Sequence, residues 1–141
     1  MIRVVDASVA VRWVVAEPLS DEAVALLTQK AKLVAPELLR LEASNALVRK
    51  FRLGTLPEAL ARAALTTLSG HLDAGLLELV PDSELAPRAV ELAIQLKHPV
   101  YDCLYLALAE RTGGVYVTAD AVFVDKLAKS PWARLVSALG S

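Results

Sequence analysis

Cysteine and histidine are scarce in this chain, and each scarcity closes a route. Cys103 is the only cysteine among 141 residues. An intrachain disulfide and a cysteine-built zinc site are therefore excluded. Cys103 lies in an apolar helical run and reads as a small core residue. His71 and His98 are the only histidines. They lie far apart near helix ends, where a capping or charged role is usual, and neither has a nucleophile partner. No GxGxxG and no P-loop occurs, so nucleotide-cofactor chemistry has no support. No apolar run is long enough to span a membrane. Asp6 and Arg12 interrupt the apolar N-terminus, which makes a poor signal peptide, and the expected location is cytoplasmic. The formal net charge is only −1, so the chain is not a generally basic nucleic-acid binder. Such a substrate would need a local basic patch and a bound metal.

What is abundant is apolar surface. Hydrophobic residues make up 55% of the chain and the mean hydropathy is +0.47. The length suits a single domain over residues 1–141. Surplus apolar surface points to a homo-oligomer or a bound partner, with an Ala/Leu-rich core as the plainer alternative.

The pattern alternates short strands with helices. Ile2–Val5 is a buried strand candidate, followed by a short helix to Val15 started by the N-cap types Asp6 and Ser8. Ser20 and Asp21 are expected to cap a second helix. Leu33–Ala35 is a strand, and Pro36-Glu37 opens a long helix to about Arg52. Pro57 starts a helix to about Leu72, and Leu77–Val80 is a third strand. Glu84–Lys97 is a helix that places Pro87 in its first turn, where proline is tolerated. Tyr101–Arg111 is a nearly all-apolar helix, Val115–Thr118 a fourth strand, and Val122–Lys129 a short helix. A fifth strand is expected at Arg134–Val136. Strands separated by helices predict a compact three-layer α/β/α domain around a central, mainly parallel sheet of four or five short strands.

Four carboxylates sit in four apolar segments: Asp6 in VVDAS, Glu42 in LLRLEASNAL, Asp102 in PVYDCLYLALAE and Asp120 in VYVTAD. Acids in apolar surroundings need a compensating charge. Asp6 and Asp120 follow strand carboxyl ends, where parallel α/β sheets bind ligands. Glu42, Asn45, Arg49 and Arg52 form one helical stripe. Asp6 and Asp102 taken singly read equally well as helix caps; mid-helix Glu42 does not. If the four converge, their mutual repulsion calls for a cation. An all-oxygen set favours Mg²⁺ or Mn²⁺, able to activate water against a phosphodiester. Ser8, Asn45 and Thr118 are candidates to orient carboxylates or waters. Arg49, Lys50 and Arg52 form a basic stretch suited to RNA phosphates, or simply a solvated helix face. Glu17, Asp21, Glu110 and Asp125 read as solvated charges, and Trp13 with Val9 and Val14 as an apolar surface near the first helix.

In this order and over nearly the whole chain, VVDASV, APELLRLEASNAL, PVYDCLYLALAE and VTADAVF resemble the PIN-domain ribonucleases, specifically VapC-type toxins of toxin–antitoxin pairs. The resemblance implies an α/β/α fold and an Mg²⁺- or Mn²⁺-dependent endoribonuclease. Asp6, Glu42, Asp102 and Asp120 would be its metal-binding acids, supported by Ser8, Asn45 and Thr118. It also implies a homodimer and a cognate antitoxin that covers the apolar helical surface. The competing expectations are a housekeeping RNA-processing or DNA-cleaving nuclease on the same site, and a non-catalytic receiver-like binding module. The lysine expected of a receiver after a late strand is missing.

Overall fold

The structure is a computed structural model describing residues 1–141. Its elements run β1 (Ile2–Val5), α1 (Ala7–Val14), α2 (Ser20–Thr28), β2 (Lys32–Pro36), α3 (Leu38–Arg52), α4 (Glu58–Asp73), β3 (Glu78–Val80), α5 (Asp82–Leu96), α6 (Val100–Thr112), β4 (Val115–Thr118), α7 (Ala121–Leu127), a 3₁₀ turn (Ala133–Leu135) and β5 (Val136–Ala138). The five strands form one sheet in the order β3-β2-β1-β4-β5. Every neighbouring pair is parallel. This is the expected α/β architecture.

The chain steps outward from β1 through β2 to β3, then crosses back past β1 to β4 and on to β5. The links from β1 to β2 and from β2 to β3 carry α1–α4. The return from β3 to β4 carries α5 and α6. Right-handed crossovers place these two sets on opposite faces, and α6 packs on β1, β2 and β4 while α1 packs on α2, α3 and α4. The gap between the ends of β1 and β4 is thus the switch point of the sheet, where parallel α/β folds open a crevice.

Burial explains the local sequence. Cys103 through Ala109 are buried without interruption because α6 lies against three strands on one side and α5 on the other. A helix enclosed on all sides has no polar face to keep. Fully closed Val4, Val5 and Val9 join β1 and α1 to the same continuous core. Val9 is therefore interior rather than part of a surface with Trp13, whose indole N–H donates to the Ala23 carbonyl and ties α1 to α2. Gly114 sits where β4 passes β1. An added Cβ would stand 2.7 Å from the Ile2 carbonyl oxygen, so no larger residue fits without moving a strand.

Five local expectations differ from the structure. The residue that opens α2 is Leu19, in the left-handed region at φ 70, not Ser20 or Asp21. The Ser20 hydroxyl accepts from the Glu17 amide and donates to the Val15 carbonyl, so it closes the preceding turn instead. The fifth α-helix begins at Asp82, two residues early, which puts Pro87 beyond the first turn and inside the helix. The last strand begins at Val136, because Ala133–Leu135 wind into a 3₁₀ turn. Glu17 is not a solvated charge: it sits between Arg12 at 3.5 Å and Lys50 at 2.6 Å. Nor is Glu110, which accepts from Arg88 and from the Trp132 indole.

Candidate active site

Asp6 stands at the switch point and is 9% exposed. Its Oδ1 accepts from the Ser8 hydroxyl and, at 3.3 Å, from the Val9 amide, which makes it the N-cap of α1. Its Oδ2 accepts from the Tyr116 and Thr118 hydroxyls, each at 2.6 Å. Tyr116 and Thr118 lie two apart on β4 and so present side chains to the same face. All four acceptor positions of the carboxylate are filled, three by hydroxyls that rotate. Burial still wins: it pushes the Asp6 pKa upward against the downward pull of these donors. The Ser8 hydroxyl also receives the Ala119 amide at 3.0 Å and so ties α1 to the end of β4.

Glu42 lies mid-helix on α3, half-buried. It receives the Tyr105 hydroxyl on Oε1 at 2.6 Å, from the helix layer on the other side of the sheet. Burial raises its pKa first, and the facing carboxylates of Asp102, Asp6 and Asp82 raise it further. That cross-talk brings Asp6, Glu42 and Asp102 into one electrostatic neighbourhood. Tyr105 and Tyr116, the donors to Glu42 and Asp6, stack with ring centroids 5.4 Å apart. Each tyrosine hydroxyl is held in its protonated form by burial and by the acid it serves.

Asp102 occupies the first turn of α6, but its carboxylate caps no amide. Oδ2 pairs with His98 Nε2 at 2.5 Å. Asp120 is exposed, and its Oδ1 caps α7 through the Phe123 amide at 3.1 Å. It is not among the groups that shift Asp6 or Glu42. Asn45 and Arg49 line an open cleft of about 540 Å³ with Glu42, Ala46, Lys50, Leu53 and Thr55. Lys50 is tied to Glu17, whereas Arg49 and Arg52 are exposed.

Several partners escaped the sequence reading. Tyr105, Tyr116 and Asp82 were not singled out, and His98 was set aside. Asp82 caps Leu38 of α3 at 3.1 Å while Glu37 accepts the Asp82 amide, a reciprocal clasp beside Glu42. One signal was available: His98 and Asp102 are four apart, the spacing of helix-surface pairs.

No three histidine, cysteine, aspartate or glutamate side chains close around a single point as a cage would. The donor chemistry nonetheless fits a hard dication that keeps its waters, since such ions are held through one or two carboxylates. Glu42 Oε2 and Asp102 Oδ1 have no protein donor, and the carboxylates of Asp102 and Asp6 disfavour a bare negative charge on Glu42.

A fully parallel α/β sheet with acids facing one another at its switch point, and no phosphate-binding loop, defines an acidic-site α/β domain. The chain belongs to the PIN domain family, whose model matches residues 3–128. It is 33% identical to a protein named Ribonuclease VapC3 from Pyrobaculum aerophilum, over 87% of this chain and 92% of that protein. The crystal structure of PAE2754 from the same organism superposes with a TM-score of 0.66 at 26% identity, covering 89% of this chain and 79% of that one. A toxin–antitoxin complex from Klebsiella pneumoniae shares the fold, with a TM-score of 0.60 at 17% identity over 96% of this chain and 95% of that one. No helix is long and apolar enough to cross a membrane.

Proposed function

We propose that residues 1–141 form one domain that acts as an Mg²⁺- or Mn²⁺-dependent endoribonuclease and as the toxin of a toxin–antitoxin pair. The observation that carries this reading is the convergence of Asp102 and Asp6 on Glu42, whose charge they oppose, alongside the likeness to a ribonuclease. A bound dication would supply an acidified water and a counter-charge for the phosphodiester. Glu42 and Asp102 would hold it through their donor-free oxygens, with Asp6 behind them and Asp120 at the edge of the cluster. Tyr105 and Tyr116 would keep Glu42 and Asp6 fixed while the substrate binds. The Ser8 and Thr118 hydroxyls would orient Asp6, and Asn45 would hold a water or phosphate in the cleft. Arg49 and Arg52 would track the RNA backbone; Lys50 would do so only by leaving Glu17.

The antitoxin reading draws on exposed apolar side chains of α3 and α4 and the turn between them, namely Leu41, Phe51, Leu53 and Leu60. Surface of this kind asks for a protein cover, and a homodimer would cover more of it. A cytoplasmic location accompanies this reading.

The test is cleavage of RNA and of single-stranded DNA of the same sequence, in Mg²⁺, by the parent and by Glu42→Gln. The parent is expected to cut RNA alone, and Glu42→Gln to fall by at least about a hundredfold at an unchanged or raised melting temperature. Equal cutting by the two proteins sinks the assignment of Glu42, and a preference for DNA sinks the ribonuclease.

A further inference from the structure

We propose that His98 is a positioning residue for Asp102: Lys126 of α7 fixes its ring so that Nε2–H donates to Oδ2 and leaves Oδ1 free. This rests on the metal-site reading above and adds to it how Asp102, partly exposed, is held.

The geometry comes from three elements. His98 follows Lys97, which ends α5 in the left-handed region at φ 53, and the His98 amide returns to the Ala93 carbonyl at 3.0 Å. A lysine backbone there is strained, and strain persists where surrounding contacts require it. That turn brings the imidazole onto Phe123 of α7, ring centroids 4.6 Å apart. Lys126 Nζ then stands 2.8 Å from His98 Nδ1 and 3.2 Å from the Lys97 carbonyl oxygen. On the other side Nε2 meets Asp102 Oδ2.

Donor arithmetic selects one arrangement. An ammonium group only donates, so Nδ1 accepts, and the ring N–H that faces the carboxylate is Nε2–H. The side chain of Asp102 is 36% exposed and that of His98 15%. A free, exposed pair of this kind would fix little, because ordering two mobile side chains offsets most of the bond. Here the ring is already clamped by Phe123 and Lys126, so the bond orders Asp102 alone. The same helix carries Asp120 as its N-cap. One short element thus sets Asp120 directly and Asp102 through Lys126 and His98.

The test uses the whole chain and three readouts. Nitrogen-15 spectra of the metal-free protein are expected to show the His98 proton on Nε2 with Nδ1 as acceptor, and Lys126→Met is expected to lose that single arrangement. His98→Leu is expected to weaken Mn²⁺ binding, and to lower kcat on RNA at little changed KM, by about tenfold to a hundredfold. His98→Gln, whose side-chain amide reaches the place of Nε2, is expected to recover most of both. A merely structural ring would leave Leu and Gln alike and the Mn²⁺ affinity untouched. A proton on Nδ1 in the parent overturns the proposal, as does Mn²⁺ binding of parental strength in both His98 variants. Should His98→Leu fail to fold, the tautomer and the Gln variant decide. A parent that cuts no RNA, yet gives the expected tautomer and Mn²⁺ affinities, refutes the ribonuclease and leaves the clamp standing.

Discussion

Asp6 and Asp102 serve the same rim and are held by opposite means. Asp6 is closed off behind β1 and β4, saturated by four donors, and raised in pKa by burial. Asp102 stands on a helix start, partly in water, with one partner and one free oxygen. The first is rigid because the sheet core leaves it no alternative. The second is rigid only as far as His98 makes it so. A buried carboxylate with no facing cation is a stability burden kept for function, and an exposed one is nearly neutral to the fold. The two acids should therefore separate stability from activity in different ways.

The sharpest way to break the comparison is to neutralise each acid by its isostere. Asp6→Asn and Asp102→Asn are both expected to lower metal-dependent RNA cleavage by at least about a hundredfold. Thermal melting without metal should distinguish them: Asp6→Asn holds or raises the melting temperature, because a buried charge is gone, and Asp102→Asn leaves it where it was. A large loss of stability in Asp6→Asn would mean that its four donors outweigh the cost of burial.

A smaller effect is expected at Tyr105→Phe, which removes the one hydrogen bond to Glu42. Bonds to charged groups contribute about 1.5–3 kcal/mol. Cleavage should fall by about tenfold to a hundredfold with RNA KM little changed. Unaltered kinetics would make the stacked tyrosines packing alone.

The smallest effect is a pH dependence. Asp6 and Glu42 have folded-state pKa values raised above their ordinary values of 3.8 and 4.5. Protonation therefore favours the folded state. Their stabilising contribution is fully present below the ordinary values and is lost as pH rises through the raised ones. Glu110, lowered by Arg88, works in the opposite sense. The parent-minus-Asp6→Asn difference in metal-free melting isolates the Asp6 part. It should grow more unfavourable to the parent from about pH 4 toward neutrality. A flat difference contradicts the burial argument.

How much of this the chain declared in advance differs between the same two regions. Asp6 followed from topology, because the carboxyl ends of parallel strands share a rim. The parallel sheet was legible because β-branched runs alternate with capped helices; the strand order was not. Glu42 was legible as an acid without a structural excuse. Its donor was not, because Tyr105 reaches it from the opposite helix layer, 63 residues away in the chain. Tyr116 was hidden for the same reason: a tyrosine in a strand reads as core until an acid is found beside it. His98 looked like a helix-end histidine, and only the left-handed turn at Lys97 and the arrival of Lys126 give it a task. The cap expected at Ser20 failed because a left-handed Leu19 opens that helix, which no propensity favours. Lys50 looked as free as Arg49 until Glu17 folded back onto it.

Titration calorimetry with Mn²⁺ tests most directly whether these acids act as one site. If they do, the parent binds Mn²⁺, and Asp6→Asn, Glu42→Gln and Asp102→Asn each remove or weaken the same binding event while remaining folded. Binding unchanged in all three variants, or no binding to the folded parent, would contradict a metal site at the switch point.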